Sequence, residues 1–140
     1  MSAANILALT RAGKIAEIAR VGYAPFEEDD PIEIVFEGGA LFHVDIGIEH
    51  ATDVRVGEGA LLDAAYGHLR AEEPAAWRNI ARDWSREAVD LPWTLGQSLA
   101  SPRRLIMTRP YRVEVGYVFQ CGARQLALFG EADLIHAAAF

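Results

Sequence analysis

The chain has 140 residues, half of them apolar and about a quarter charged, with a net charge of −7. That suits one soluble globular domain spanning 1–140 and excludes a disordered or collagen-like chain. The acidic balance argues against nucleic-acid binding, which needs a basic face to neutralise phosphates. One cysteine, Cys121, rules out an internal disulfide, and no run approaches the roughly 20 apolar residues of a spanning helix, so no membrane partner is expected. The N-terminus has no basic region or long apolar stretch of a signal peptide, which sets a cytoplasmic expectation.

In chain order, residues 3–12 read as a short helix ending at Gly13, and 14–21 fit either a helix or a bulged strand, with strand favoured. Phe26 to Pro31 is a polar connection. A β-hairpin follows over about 32–48, in which Ile32, Ile34 and Phe36 alternate with polar positions and Phe42, Val44, Ile46 and Ile48 do the same. Parity demands an odd loop, so Gly38-Gly39-Ala40 is the expected turn, with Phe36 opposite Phe42 and Glu33 opposite Asp45.

Residues 53–56 add a short strand. Two amphipathic helices are predicted next, over about 60–70 and 74–89, the second beginning at Pro74 and presenting Trp77, Ile80, Ala81, Trp84 and Ala88 on one face. That stripe predicts core anchors packed on a sheet. Residues 91–102 read as a loop held by Trp93, and strand character returns at 105–108. A second hairpin spans about 111–129 around a Cys121-Gly122 turn, with Gly116 opposite Ala127 leaving a shallow strip for a helix. A short terminal helix over 131–140 closes the chain. Two hairpins without βαβ alternation give an α+β class with a largely antiparallel sheet.

Charge is segregated along this order. From Glu27 to Asp63 eleven carboxylates face Arg55 alone, a local net of −10, whereas from Ser101 to Gln125 five arginines face Glu114 alone, a net of +4. The arginine-rich segment is a candidate internal counter-charge if its strands lie beside the acidic hairpin. Catalytic and cofactor signals are weak by comparison. Glu33, His43 and Asp45 share one predicted strand face, yet a flat solvated hairpin lacks the concavity and supporting shell of a metal site. His50, His68 and His136 show no ligand spacing, Ser85, Ser98 and Ser101 lack a nucleophile elbow, and Gly57-Glu58-Gly59 fails as a dinucleotide fingerprint at Leu62. No cofactor, metal or catalytic residue is assigned.

Two functional expectations remain. The first is an interaction module that docks and neutralises a basic protein through Glu27, Glu28, Asp29, Asp30, Glu33, Glu37, Asp45 and Glu49. In size, acidity and class such a chain is similar to immunity proteins that neutralise interbacterial toxins, many of which are basic. The second is a ligand-binding or enzymatic domain with an aromatic pocket drawn from Tyr66, Trp77, Trp84, Trp93, Tyr111 and Tyr117, with His68 or a buried acid as its polar group. A homo-oligomer built on the tryptophan face is a further expectation.

Overall fold

A computed structural model describes residues 2–46 and 53–140. It is α+β, with two antiparallel sheets. Helix α1 (Ser2–Arg11) leads into β1 (Ile15–Gly22), β2 (Ile32–Phe36), β3 (Leu41–Ile46) and β4 (Val54–Glu58). Helices α2 (Leu61–Tyr66), α3 (Leu69–Glu72) and α4 (Pro74–Asp83) form an excursion that returns as β5 (Ser85–Ala88). A 3-10 turn at Pro92–Thr94 precedes β6 (Leu99–Met107), β7 (Val113–Cys121), β8 (Arg124–Glu131) and β9 (Leu134–Ala139). The first sheet has the order β4-β3-β2-β1-β5 and the second β6-β7-β8-β9.

Inward residues of both sheets meet in one core. Ile15, Ile18, Ile32, Ile34, Phe36, Phe42 and Val44 come from the first sheet, and Leu99, Phe119, Leu126, Leu128 and Ile135 from the second. Helix α1 packs against β4 and β6, placing Ile6 and Leu9 in that core. Asn5 ties the helix down by donating from Nδ2 to the Val56 carbonyl at 2.6 Å.

The first hairpin keeps the predicted faces but slips by two residues. Ile34 lies opposite Phe42 and Glu33 opposite His43, so the turn is Glu37-Gly38-Gly39, closed by the Phe36 amide on the Ala40 carbonyl at 2.9 Å. A slip of two preserves parity, which is why the buried set is right while the cross-strand pairs are not. Phe36 and Phe42 become diagonal neighbours, packed edge to face with centroids 5.9 Å apart. Asp45 faces Arg55 of β4 instead of Glu33. The second hairpin slips in the same way, pairing Gly116 with Phe129 and Cys121 with Arg124. Its turn is Gly122-Ala123, with Gly122 at φ +64. Cys121 is therefore a buried strand residue and not part of the turn. Nor is Gly116 a seat for a helix: a Cβ there would stand 2.0 Å from the Leu128 carbonyl oxygen, so the glycine admits the neighbouring strand β8.

Three helical expectations change. The 60–70 helix divides at Gly67-His68 into α2 and α3. The 74–89 helix ends at Asp83, because Trp84 is extended (φ −72, ψ 129) and residues 85–88 pair with β1. The terminal helix is strand β9, joined to β8 by a turn at Ala132-Asp133 and paired along its length. Strand β6 also begins earlier than expected, at Leu99, and absorbs Pro102 within a register shift between Ala100 and Arg103.

The tryptophan stripe does not reach the core. Helix α4 has no buried residue and packs on α3. Trp84 meets Tyr23 and Tyr66 edge-on, with centroids at 5.8 and 6.1 Å, while Trp77 stacks under the Arg70 guanidinium at 4.3 Å.

Candidate functional site

Strand β1 carries Arg20 among apolar neighbours, seven residues before the acidic run Glu27–Asp30. Its guanidinium reaches across the loop that joins β1 to β2. Nη1 donates to the Glu28 carbonyl at 3.1 Å and the Asp30 carbonyl at 2.7 Å, and Nη2 donates to the Ile135 carbonyl of β9 at 2.6 Å. The Ile135 amide in turn donates to the Glu28 carbonyl at 2.8 Å. Within the loop, Asp30 Oδ2 accepts from the Glu27 amide at 2.7 Å, and the Asp30 amide donates to the Glu27 carbonyl at 3.2 Å. The loop backbone is thus fastened to both sheets.

That fastening leaves the carboxylates of Glu27, Glu28 and Asp29 in solvent, whereas Asp30 is half-buried. Burial holds Arg20 below its ordinary pKa, opposed by the nearby charges of Asp30, Glu28 and Asp29, and an arginine so placed remains a cation. Beside the loop lies an open depression of about 230 Å3, lined by Arg20, Phe26, Glu27, Glu28 and Glu87 among others. Glu87 comes from β5, directly across from Arg20. A half-buried aromatic ring beside three carboxylates is chemically suited to a lysine or arginine side chain.

The other predicted contact residues are dispersed. Glu33 is overturned as a contact residue: it is 2% exposed, under α2, with Oε2 accepting from the Leu61 amide at 2.9 Å and Oε1 paired with Arg86 at 3.0 Å. The face expected to be solvated is covered, and Glu33 is spent on joining α2 and β5 to the sheet. Burial works against the charge of Arg86, but its hydrogen bonds to Glu17 and Glu33 outweigh this and raise its pKa. Asp45 lies at the same sheet end as the acidic loop, half-buried, its Oδ1 accepting from the Ile46 amide at 2.7 Å. Glu37 is exposed in the β2–β3 turn, at the opposite end of β2. Glu49 lies outside the described residues.

Counter-charge comes only in part from the arginine-rich segment. Arg104 of β6 pairs with Asp53 at 2.7 Å and lies over the Tyr117 ring at 4.2 Å. The cations nearest the acidic loop and Glu33 are Arg20 and Arg86, on β1 and β5. Neither stood out in the sequence. An arginine inside an apolar strand, needing partners for its donors, was the available signal for Arg20; Arg86 was concealed by its reading as helix.

His43 neighbours Glu33 across the strands, but its Nδ1 lies 2.9 Å from the Gly59 carbonyl and its ring covers Gly57. Among the described residues no three His, Cys, Asp or Glu side chains are grouped to hold a metal. The candidate pocket aromatics separate: Tyr66 and Trp84 join Tyr23, Trp93 faces Arg124, Tyr117 faces Arg104, and Tyr111 is exposed. His68 is exposed. A larger depression of about 380 Å3 lies on the second sheet, with Leu105, Ile106, Phe129, Ala138 and Phe140 in its lining. Among the described residues no helix is long and apolar enough to cross a membrane.

Comparison of the chain with protein-family models, with curated proteins and with solved structures finds no match.

Proposed function

We propose that this chain is an interaction module that binds and neutralises a basic protein, with the loop Glu27–Asp30 as the centre of its contact surface. The observation that carries this reading is the fastened loop: three carboxylates stand in solvent on a backbone held by Arg20, Asp30 and β9. A charged loop already ordered before contact loses less conformational entropy on binding than a mobile one. Its field also accelerates encounter with a basic partner. Phe26 and Glu87, beside the loop, extend the surface with a place for one cationic side chain. An immunity protein acting in the cytoplasm against a basic toxin domain is the biological setting that best fits this chemistry.

The test is affinity capture from the native host with parallel baits. Wild-type protein should retain a basic partner in low salt and release it in high salt. Combined Glu27→Gln, Glu28→Gln and Asp29→Asn should abolish retention, while Glu72→Gln with Glu73→Gln, exposed on the helical excursion and outside the loop, should leave it intact. Equal retention by all three baits would reject the loop as the contact surface.

A further inference from the structure

Strand β9 is one edge of the second sheet. Its backbone groups sort by alternation. The Phe140 amide bonds the Gln125 carbonyl, and with Ala138 opposite Ala127 and His136 opposite Phe129 this turns the groups of residues 134, 136, 138 and 140 toward β8. Those of Ile135, Ala137 and Ala139 point away from the sheet. Ile135 is already engaged, its amide with Glu28 and its carbonyl with Arg20. Ala137 and Ala139 have no such partner among the described residues.

Edge strands are ordinarily protected by charge, proline or a bulge. Residues 134–140 contain no Lys, Arg, Asp, Glu or Pro, and their pairing with β8 is regular. Of the three outward residues of this edge, Ile135 is covered by the acidic loop, and Ala137 and Ala139 are open among the described residues. The open half also borders exposed apolar surface, since Phe140 is 67% exposed at the rim of the 380 Å3 groove.

We propose that a second copy of this chain occupies this edge, with β9 pairing antiparallel to its own copy about a two-fold axis at Ala138. In that register Ala137 lies opposite Ala139 of the partner subunit, and each such pair exchanges two hydrogen bonds. All the outward groups left open by the loop are then used. Ala138 meets its own copy across the axis, where only methyl groups must fit. Phe140 comes opposite His136 of the partner subunit at a non-hydrogen-bonded position, where side chains approach most closely. In each chain the His136 ring lies 5.0 Å from Phe129, so the exposed phenyl ring gains an aromatic bed. The two second sheets become one continuous sheet. A copy of the chain is the occupant of choice because the edge is self-complementary under a two-fold axis: the open outward residues, Ala137 and Ala139, pair with each other across it, and residues 134–140 carry no Asp, Glu, Lys or Arg to obstruct a like strand.

The test is the mass of the full chain by light scattering across a concentration series. Wild type should rise from 15.3 kDa toward twice that value. Ala139→Pro removes an outward amide without touching the β8 ladder, and Phe140→Ser removes the ring; each should hold the mass at 15.3 kDa with an unchanged circular dichroism spectrum. Should Ala139→Pro fail to fold, Phe140→Ser decides. Hydrogen exchange adds a local readout: protection of the Ala137 and Ala139 amides should grow with concentration, while that of Ile135 stays constant. A wild type that is monomeric throughout, a folded Ala139→Pro or Phe140→Ser that still dimerises, or a dimer without concentration-dependent protection at Ala137 and Ala139, would overturn the proposal.

Discussion

Glu33 is a carboxylate in a strand of isoleucine, valine and phenylalanine, and it is held there by one backbone amide and one arginine. A buried ion pair is weak grounds for stability when formed, but removing one partner leaves a buried charge uncompensated. Arg86 is itself 43% exposed, which admits water and reduces the loss. Arg86→Ala should therefore cost about 1–3 kcal/mol in urea unfolding. Glu33→Gln, which keeps the shape and an acceptor while removing the charge, should cost less than Arg86→Ala. Equal costs would place the stability in packing instead of charge. Cys121 offers a second check at this scale. Burial pushes its thiol above the ordinary value, and a thiol reacts as its thiolate. In native protein it should resist a disulfide reagent at pH 8 and react on unfolding in urea. Fast reaction in the native state would contradict its place inside β7.

Elements were legible where one face repeats and illegible where contacts outside the segment decide. The faces of both hairpins followed from alternation, because parity survives a two-residue slip. The turn residues that fix the slip are glycines with more than one workable placement, so the cross-strand pairs were not readable. Residues 134–139 carry a helix-favouring run of alanines, yet the free edge of β8 recruits them as a strand. Residues 85–88 lost their helix to the free edge of β1 in the same way. The acidic loop was readable as a charge run; its fastening by Arg20 and Ile135 joins segments 115 residues apart and could not be. Helix α4 shows what an amphipathic stripe leaves undetermined. Its tryptophans cover neighbouring helices and loops instead of a sheet. Trp77→Ala should accordingly cost no more than about 1–2 kcal/mol, against about 3–5 kcal/mol for Phe36→Ala in the core. Comparable losses in thermal or urea melts would mean that the helical excursion shares the stability of the sheets.

Over the whole molecule, two proposed surfaces sit side by side and obey opposite electrostatics. The partner proposed for the acidic loop is of unlike charge, so that association is to be accelerated by the field of the protein and weakened by screening. The partner proposed for the β9 edge is a like-charged copy, each with a net of −7, joined through backbone bonds and an aromatic contact that salt does not screen. Mutual repulsion opposes that union and is the part that salt removes. Raising NaCl from about 50 to about 500 mM shortens the Debye length from roughly 14 to 4 Å, so the dimer fraction at fixed protein concentration should rise while the on-rate for the basic partner falls. Lowering the pH toward the sequence pI of about 5.0 should likewise favour the dimer by reducing the repelling charge. Sedimentation velocity and stopped-flow association in the same buffers read the two responses independently. If self-association weakened with salt, it would rest on charge pairing and not on β9. If the partner's on-rate were indifferent to salt, the loop carboxylates would be bystanders whatever the oligomeric state.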